Sequence, residues 1–579
     1  MGLLTGREDW ISDAAPDRDR MRMRKEVFGV FGDRTVFERH RETDAFDMVV
    51  DGDGLTVGIR DPALGVPGRS AVHESDDGHC VVWGEAFCPA GDSNVATWLA
   101  DAYADRGSDA FADLNGSYLV AVEHGEDAVV ATDPIRSWEC FYTDLPDARV
   151  FGSDLAAVQS TVPEPRVRRD SLLEFLHLGT VLGEKTLFER TRRAPFDGYL
   201  TPDHAGEFRR FVYEPAEFDY ADELARRLER AIERRRGYPG DTGLLLSAGY
   251  DSRVLLSQLP EMSTCYTVGT DEDQEVTAAR RVADQYDVEH RVLETDDRYL
   301  SLDPPKSRYG QSIKESLHVH HAGYTDGIEV ASVYHGLLYD TLFKGFFLDR
   351  NAVEVAGRRL PWQRLSDDPD PVESLLDTLA FSPTESRRLT RTASRVFADV
   401  QVEDPEQFIR ESLHSELEAC RDRASNAHDA TELIAIRNQP VLPFRVHLAD
   451  NFLESFVAVD SSLLDWHLRT PPEHRSRETF REAVAQIDPE IDRHHPPDRP
   501  HDWTVLNHAE EFVRRRLPFL SPFESAWPDR EEVYERYDLG HRLPFSPADD
   551  LSVRHALRLN DALTQAAYHE SWQETATHD

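Results

Sequence analysis

The sequence predicts an α/β chain: a strand-rich first part, a parallel sheet flanked by helices, and a mainly helical last part. Three observations predict it. Residues 27–160 hold short apolar runs separated by acidic or glycine turns. From Asp222 the apolar period becomes that of a helix. Strands and helices then alternate at the spacing of βαβ units. At 579 residues, 40% of them hydrophobic, the chain is long enough for more than one buried core.

In chain order, Val27–Gly32 opens the first strand, and runs at Cys80–Trp83, Ser117–Val122 and Ala128–Thr132 follow, with one helix over residues 94–105. Strand-rich character continues to Phe211, and Tyr213–Tyr220 reads as a linker. Leu224, Leu228, Ala231 and Ile232 share one face of a helix ending near Arg236. A buried strand at Gly243–Leu246 leads to a helix from near Arg253. A strand at Thr264–Val268, a helix over 274–286 and a short strand at His290–Leu293 complete the alternation. Beyond residue 370 the pattern is mostly helical, with proline spacers at 471–472 and 496–500. The expected boundaries are a charged extension at 1–25, domains at 26–212 and 220–500, and a helical C-terminal extension at 501–579.

Lysine and arginine number 65 against 108 acidic residues, a formal charge of −43. Such a surface repels phosphate backbones and anionic lipid, which argues against a sequence-independent nucleic-acid or membrane binder. Only Lys25, Lys185, Lys306, Lys314 and Lys344 are lysines. Acid excess with scarce lysine resembles proteins of salt-accumulating, halophilic microbes, where the Debye length falls to about 3 Å near 1 M salt and carboxylate repulsion is muted. Cys80, Cys88, Cys140, Cys265 and Cys420 are scattered without a CxxC, which fits a reducing, cytoplasmic interior. Residues 1–25 lack an apolar h-region and no segment approaches about 18 apolar residues, so neither a signal peptide nor a membrane span is expected.

The strongest chemical signal is the run from Leu244 to Arg253. An apolar strand enters Ser247-Ala248-Gly249-Tyr250-Asp251-Ser252, and that turn opens a helix. Backbone N–H groups at such a helix start, with the positive end of its dipole, make an anion site, and Ser247 and Ser252 add hydroxyl donors. Asp251 is placed to cap the helix or to help hold a magnesium ion. The GK[ST] ending of a Walker loop is missing.

This run resembles the SGGxDS pyrophosphate loop of ATP pyrophosphatases, with Ala248 in place of one of its two glycines. Within that superfamily, segments over roughly residues 27–500 resemble, in order and spacing, the glutamine-hydrolysing asparagine synthetases. Phe111–Gly116, Ala131–Pro134 and Phe141–Tyr142 are similar to the core of the family's amidotransferase domain; Phe151–Leu155, Thr186–Glu189 and Gly198–Leu200 resemble its later stretches. Tyr266–Gly269 looks like the strand that contacts adenine, and Tyr334–Asp340 stands where the family has SGDGADE. Leu463–Asp465 and Thr470–Glu473 resemble the late helical part. The resemblance implies an Ntn-type α-β-β-α amidotransferase-like domain, then a parallel-sheet, adenine-nucleotide α-hydrolase-like synthetase domain. It implies ATP and Mg as cofactors. The nucleotide would lie on Leu245, Ser247, Ala248, Gly249, Tyr250, Asp251, Ser252, Val268, His335 and Gly336. Asp251 and Asp340 would hold the metal, and Ser247, Asp251 and Asp340 would serve catalysis.

Some positions depart from the family. Phe28 occupies the place of the N-terminal cysteine nucleophile, Trp83-Gly84-Glu85 that of the glutamine-binding NGE, and Asn115 that of an aspartate. A degenerate glutaminase follows. Leu337 takes a position that is acidic in the synthetases. Arg493-His494-His495 fills the region of a late lysine that neutralises phosphate charge, and no lysine follows Lys344.

Other clusters have simpler readings. His318, His320 and His321 lack a carboxylate at metal-site spacing and read as a loop or surface cluster. Asp271–Glu275 reads either as a magnesium site or as a solvated acidic helix start. Arg234–Arg236 and Arg514–Arg516 read as salt-bridged or helix-end charge. Glu454 and Asp460 resemble a family motif whose arginine is replaced by Phe456, in a site or a structural role.

The implied function is an asparagine synthase-like, ATP-dependent amide-forming ligase. It would adenylate a small-molecule carboxylate and pass it to ammonia or an amine, without glutamine hydrolysis. The reading includes no nucleic-acid or membrane partner and leaves room for a homodimer. A β-lactam-synthetase-like ligase, with the amine on the substrate, and a non-catalytic nucleotide-binding or scaffold descendant are the alternatives. A tRNA-modifying pyrophosphatase is disfavoured because it needs a basic RNA surface.

Overall fold

The computed structural model describes residues 24–91, 94–355, 358–397, 400–438, 441–497, 499–501, 504–514, 523, 527–543, 545 and 551–575. The expected extension at 1–25 lies outside the described residues except for Arg24 and Lys25.

Among the described residues, the first part forms two six-stranded antiparallel sheets. One runs β10 (Arg192–Arg193), β8 (Phe141–Asp144), β9 (Arg149–Gly152), β1 (Glu26–Val30), β3 (Thr56–Arg60), β2 (Met48–Val50). The other runs β12 (Ala205–Glu207), β11 (Gly198–Leu200), β7 (Asp127–Thr132), β6 (Asn115–His124), β5 (Gly78–Phe87), β4 (Ala71–Ser75). The two-residue period of a strand explains how they stack. Val81, Trp83, Leu119, Ala121 and Val130 share a core with Val27, Phe28 and Phe151 of the first sheet. The alternate residues Cys80, Val82, Tyr118, Val120 and Val129 pack instead with the helix Val95–Arg106. The helix Leu155–Gln159 packs on β8 and β9, giving helix–sheet–sheet–helix layers.

The second part is a five-stranded parallel sheet in the order β15 (Glu289–Glu294), β14 (Met262–Gly269), β13 (Thr242–Leu245), β16 (Ser332–Tyr334), β19 (Leu453–Ser455). The chain steps outward from β13 through β14 to β15, then returns to the other side of β13 for β16 and β19. The order therefore reverses between β13 and β16. Leu244, Cys265 and Tyr334 pack with Leu224, Leu228, Val254 and Val282 of the helices Tyr220–Glu233, Tyr250–Gln258 and Gln274–Gln285. Leu245, Tyr266, Val268 and Val333 face the opposite side, with Tyr299, Phe444 and Leu448. The sheet is covered on both faces, as an all-parallel sheet requires.

Late helices enter the first core: Leu389, Ala393, Leu442, Val446, Leu559 and Ala562 belong to it. On the helix Val553–Thr575, Arg558 pairs with Glu315 and donates to the carbonyls of Leu176 (3.2 Å) and His177 (3.1 Å). This helix is thus built into both halves.

Some elements differ from the sequence reading. Strand-rich character up to Phe211 misses the helix Arg169–Leu178, although Ser171, Glu174 and His177 recur in it at helical spacing; all three are buried along with the apolar residues between them. β19 is three residues long within a helical stretch, too short to show a period. The hairpin β17 (Arg350–Val355) and β18 (Arg358–Leu365) is also new. His320 and His321 are not on the surface. His320 stacks on Trp527 at 4.3 Å and on Tyr299 at 5.0 Å, and His321 meets Phe444 edge-on at 5.2 Å. Among the described residues no cluster of three or more His, Cys, Asp or Glu could hold a metal, and no helix is long and apolar enough to cross a membrane.

Candidate functional site

In an open α/β sheet the crevice for ligands lies outside the carboxyl ends of the strands, where the strand order reverses. Here that place is flanked by the loops leaving β13 and β16, the same two loops that carry Ser247–Ser252 and His335–Asp340. They touch. A Cβ on Gly336 would lie 2.6 Å from the Cβ of Asp251, so only glycine lets the loops approach this closely. Leu338, buried and left-handed at φ 66°, makes the turn into the helix Tyr339–Phe343, a strained conformation for a branched residue.

The helix Tyr250–Gln258 starts on Gly249 without a side-chain cap. Elsewhere the chain caps with Asn94, Asp219, Asp404 and Asn426. The first-turn N–H groups after β13 thus have no side-chain acceptor and point where an anion would sit. Ser247 and Ser252 shape the loop: the Ser252 hydroxyl donates to the Ser247 carbonyl at 3.0 Å, and Gly249 N–H donates to Ser247 Oγ at 3.3 Å. Buried Ala248 donates its N–H to Glu275 Oε1 at 2.6 Å. The rest of that acidic run is a helix start, where Asp273 accepts from Thr270 N–H at 2.7 Å and Asp271 pairs with Arg280 at 2.5 Å.

Arg253 is a residue the sequence reading missed. Its buried guanidinium donates to the carbonyls of Ala248 (2.6 Å), Ile491 (2.9 Å) and His494, clamping the loop to a segment about 240 positions later. Tyr250 lies under the same guanidinium at 5.1 Å, and burial with Asp492 nearby pushes its hydroxyl up to about 12. Leu245 ends β13, Val268 stands one residue before the end of the adjacent β14, and both are buried with Tyr266.

Asp251 and Asp340 converge on Lys344. The Lys344 ammonium pairs with Asp251 Oδ1 and lies 3.0 Å from Asp340 Oδ1. Burial pushes the Asp251 carboxyl up to about 6, against the pull of Lys344. Burial also works to raise Asp340, but Lys344 outweighs it and holds that carboxyl below its ordinary value. Lys344 thus brings to the loop a positive charge that the sequence reading sought near Arg493. The signal was present in a scarce lysine four residues after Asp340. Two carboxylates with phosphate oxygens are a common magnesium donor set. Both of these, however, already turn to an ammonium, so the pair as arranged does not fit a resident magnesium ion.

His335 spans its own loop and Glu454: its Nδ1 accepts from Leu337 N–H at 3.4 Å. Its Nε2 stands 3.0 Å from Glu454 Oε1, which also accepts from Arg445 Nε at 3.0 Å. Burial would raise the Glu454 carboxyl, yet Arg445 and then His335 hold it far below the carboxylate range. The positions compared with a glutamine site do other work. Phe28 is buried inside β1, between Phe37 at 5.6 Å and Phe46 at 6.4 Å. Glu85 pairs with Arg235 at 2.8 Å, Arg235 pairs with Asp460 at 2.8 Å, and Asn115 donates to Asp460 at 3.0 Å, which joins the two halves.

Residues 223–302, from the helix before β13 through β15, match the family model for asparagine synthase. They carry the asparagine synthase pattern. Within this asparagine synthase segment lie Leu245, the whole Ser247–Ser252 loop, Arg253, Val268 and Glu275; His335, Gly336 and Asp340 lie beyond it. None of the curated proteins matches the chain. Solved structures that match include the glutamine phosphoribosylpyrophosphate amidotransferase from B. subtilis complexed with ADP and GMP. It is 12% identical, with 62% of this chain and 84% of that chain covered and a TM-score of 0.20. Another is described as the allosteric regulatory enzyme of purine biosynthesis, 12% identical, with coverage of 56% and 70% and a TM-score of 0.19.

Proposed function

We propose that the chain binds ATP in the crevice between β13 and β16 and works as an asparagine synthase-like, amide-forming ligase. One observation carries this reading: the Ser247–Ser252 loop, inside the asparagine synthase segment, meets the His335–Asp340 loop at the reversal of a parallel sheet. In this reading the uncapped N–H groups of the helix Tyr250–Gln258 hold phosphate oxygens, and Leu245 and Val268 flank the adenine. A substrate carboxylate oxygen attacks the α-phosphorus, the bond to the β-phosphate breaks, and pyrophosphate leaves. An amine nitrogen then attacks the acyl carbon, AMP departs, and the nitrogen loses its proton to solvent. Positioning and charge neutralisation supply most of such catalysis, and Lys344 is the ammonium held at the loop. Magnesium takes no part in this reading, because Lys344 already engages both carboxylates.

The nitrogen in this proposal comes from free ammonia or an amine. Supporting that, Phe28 offers no nucleophile, and burial pushes the thiols of Cys140, Cys265 and Cys420 up to about 12 and that of Cys80 higher still. Exchange of labelled pyrophosphate into ATP, run against a panel of carboxylic acids, tests the reading. Exchange with one acid, lost in a Ser247→Ala, Ser252→Ala double variant, is the expected result. Absence of both exchange and nucleotide binding would remove it. Leu337, half-buried where the synthetases carry an acid, favours a second reading: a protein that binds nucleotide and exchanges nothing.

A further inference from the structure

Lys344 stands out in this molecule. It is one of five lysines in a chain whose other 60 basic residues, from the total of 65, are arginines. It is buried, its Nζ lies 4.9 Å from the centre of the Phe480 ring, and it reaches Asp251 of the phosphate loop and Asp340 of the loop beside it. The backbone fixes that reach. Gly345 is left-handed at φ 59°, where a Cβ would fall 2.4 Å from the Arg475 carbonyl, and Phe346 N–H donates to the Asp340 carbonyl at 3.1 Å. Around the pair the field is already positive, since Arg477 and Arg499 also stabilise ionised Asp340.

We infer that Lys344 is a built-in counter-cation. Its ammonium does the charge-neutralising work at this loop that a divalent ion on Asp251 and Asp340 would otherwise do. The loop therefore takes an anionic polyphosphate without a divalent ion bound by the protein. A second cation between Asp251 and Asp340 would sit within a few ångströms of the ammonium, where repulsion in a half-buried site is strong. This inference rests on the reading that Ser247–Ser252 takes nucleotide phosphates.

Two measurements test it on the full chain in potassium chloride, with thermal midpoints recorded for every variant. The first uses Mn²⁺ alone, followed by electron paramagnetic resonance. Wild type is expected to show no Mn²⁺ binding that Asp251→Asn removes, whereas Lys344→Met, or Lys344→Gln if the first fails to fold, is expected to bind Mn²⁺ about tenfold or more tightly. The second titrates ATP with EDTA or with Mg²⁺. Wild-type affinity is expected to be the same within about threefold, and the Lys344 variant to lose about tenfold or more in EDTA and recover it in Mg²⁺. Wild-type Mn²⁺ binding that is lost in Asp251→Asn and unchanged in the Lys344 variant overturns the inference, as does wild-type ATP binding that needs Mg²⁺. If ATP binds under no condition, the nucleotide reading fails while the Mn²⁺ measurement still decides the role of Lys344.

Discussion

His335 and Glu454 share a hydrogen bond of 3.0 Å, from imidazole Nε2 to carboxylate Oε1, and through it the β16 loop is tied to the first half of the chain. Glu454 accepts in turn from Arg445, whose guanidinium lies 3.9 Å over the Trp138 ring and donates to Ser137 and Ser117. Arg69 donates to the Glu454 backbone carbonyl at 2.6 Å. A loop at the crevice and the sandwich of two sheets are therefore joined by one buried chain of polar contacts.

Breaking this chain from one side should be costly. Glu454→Leu leaves the Arg445 charge buried without its carboxylate, and we expect a loss of about 3–5 kcal/mol. Adding Arg445→Met should recover much of it, because the pair's desolvation cost disappears with the pair. Urea unfolding of the two single variants and the double variant checks this. Equal and additive losses would mean that the two residues do not act together.

Gly336→Ala places a methyl group 2.6 Å from the Asp251 Cβ and 3.2 Å from its carbonyl carbon, atoms that no side-chain rotation can move aside. The loops must part, at a cost of about 1–3 kcal/mol typical of overpacking. We expect a lowered thermal midpoint and weaker ATP binding together. An unchanged ATP affinity would separate Gly336 from the nucleotide reading.

The loop after β13 was legible because everything that makes it is local: an apolar run, small residues, then a helical period within ten positions. The βαβ order was legible for the same reason. His335–Asp340 carried no period and entered only through resemblance, and β19 was hidden because a three-residue strand shows none. Arg253 and Lys344 were missed for a different reason. Arg253 acts on carbonyls near residue 491, and Lys344 acts on a carboxylate 93 positions earlier, so the partners come together only in the fold.

Acid should destabilise this protein well before its carboxylates titrate in the unfolded chain. Burial lowers His177, His321 and His447 to about 3 and His290 and His555 to about 4, and holds His320 and His467 well below their ordinary value. The unfolded chain binds protons at these sites near 6.5 and the folded chain does not. Their stabilisation is whole above about pH 6.5 and drains away as the pH falls towards about 4. Burial raises Asp251 and Asp561 to about 6 and Glu432 to about 7, which works the other way in the same window. Seven histidines outweigh those three carboxylates. The urea midpoint is expected to fall from about pH 7 to about pH 5, and His447→Gln, which removes one such site, should flatten the slope.

Salt should act in the opposite sense. Excess carboxylates, giving −43 overall, repel one another across the surface, while buried pairs such as Arg235–Asp460 are little screened. Raising potassium chloride from about 0.1 M to about 1 M shortens the Debye length from about 10 Å to about 3 Å, which removes most of the surface repulsion and little of the buried attraction. The thermal midpoint is therefore expected to rise over that range. A variant carrying Glu126→Lys, Glu272→Lys and Glu403→Lys, three exposed positions, lowers the excess by six charges. It should be the more stable protein at low salt and gain less from added salt. A midpoint that is flat or falls with potassium chloride would mean that the ion pairs, and not the unpaired carboxylates, set the balance.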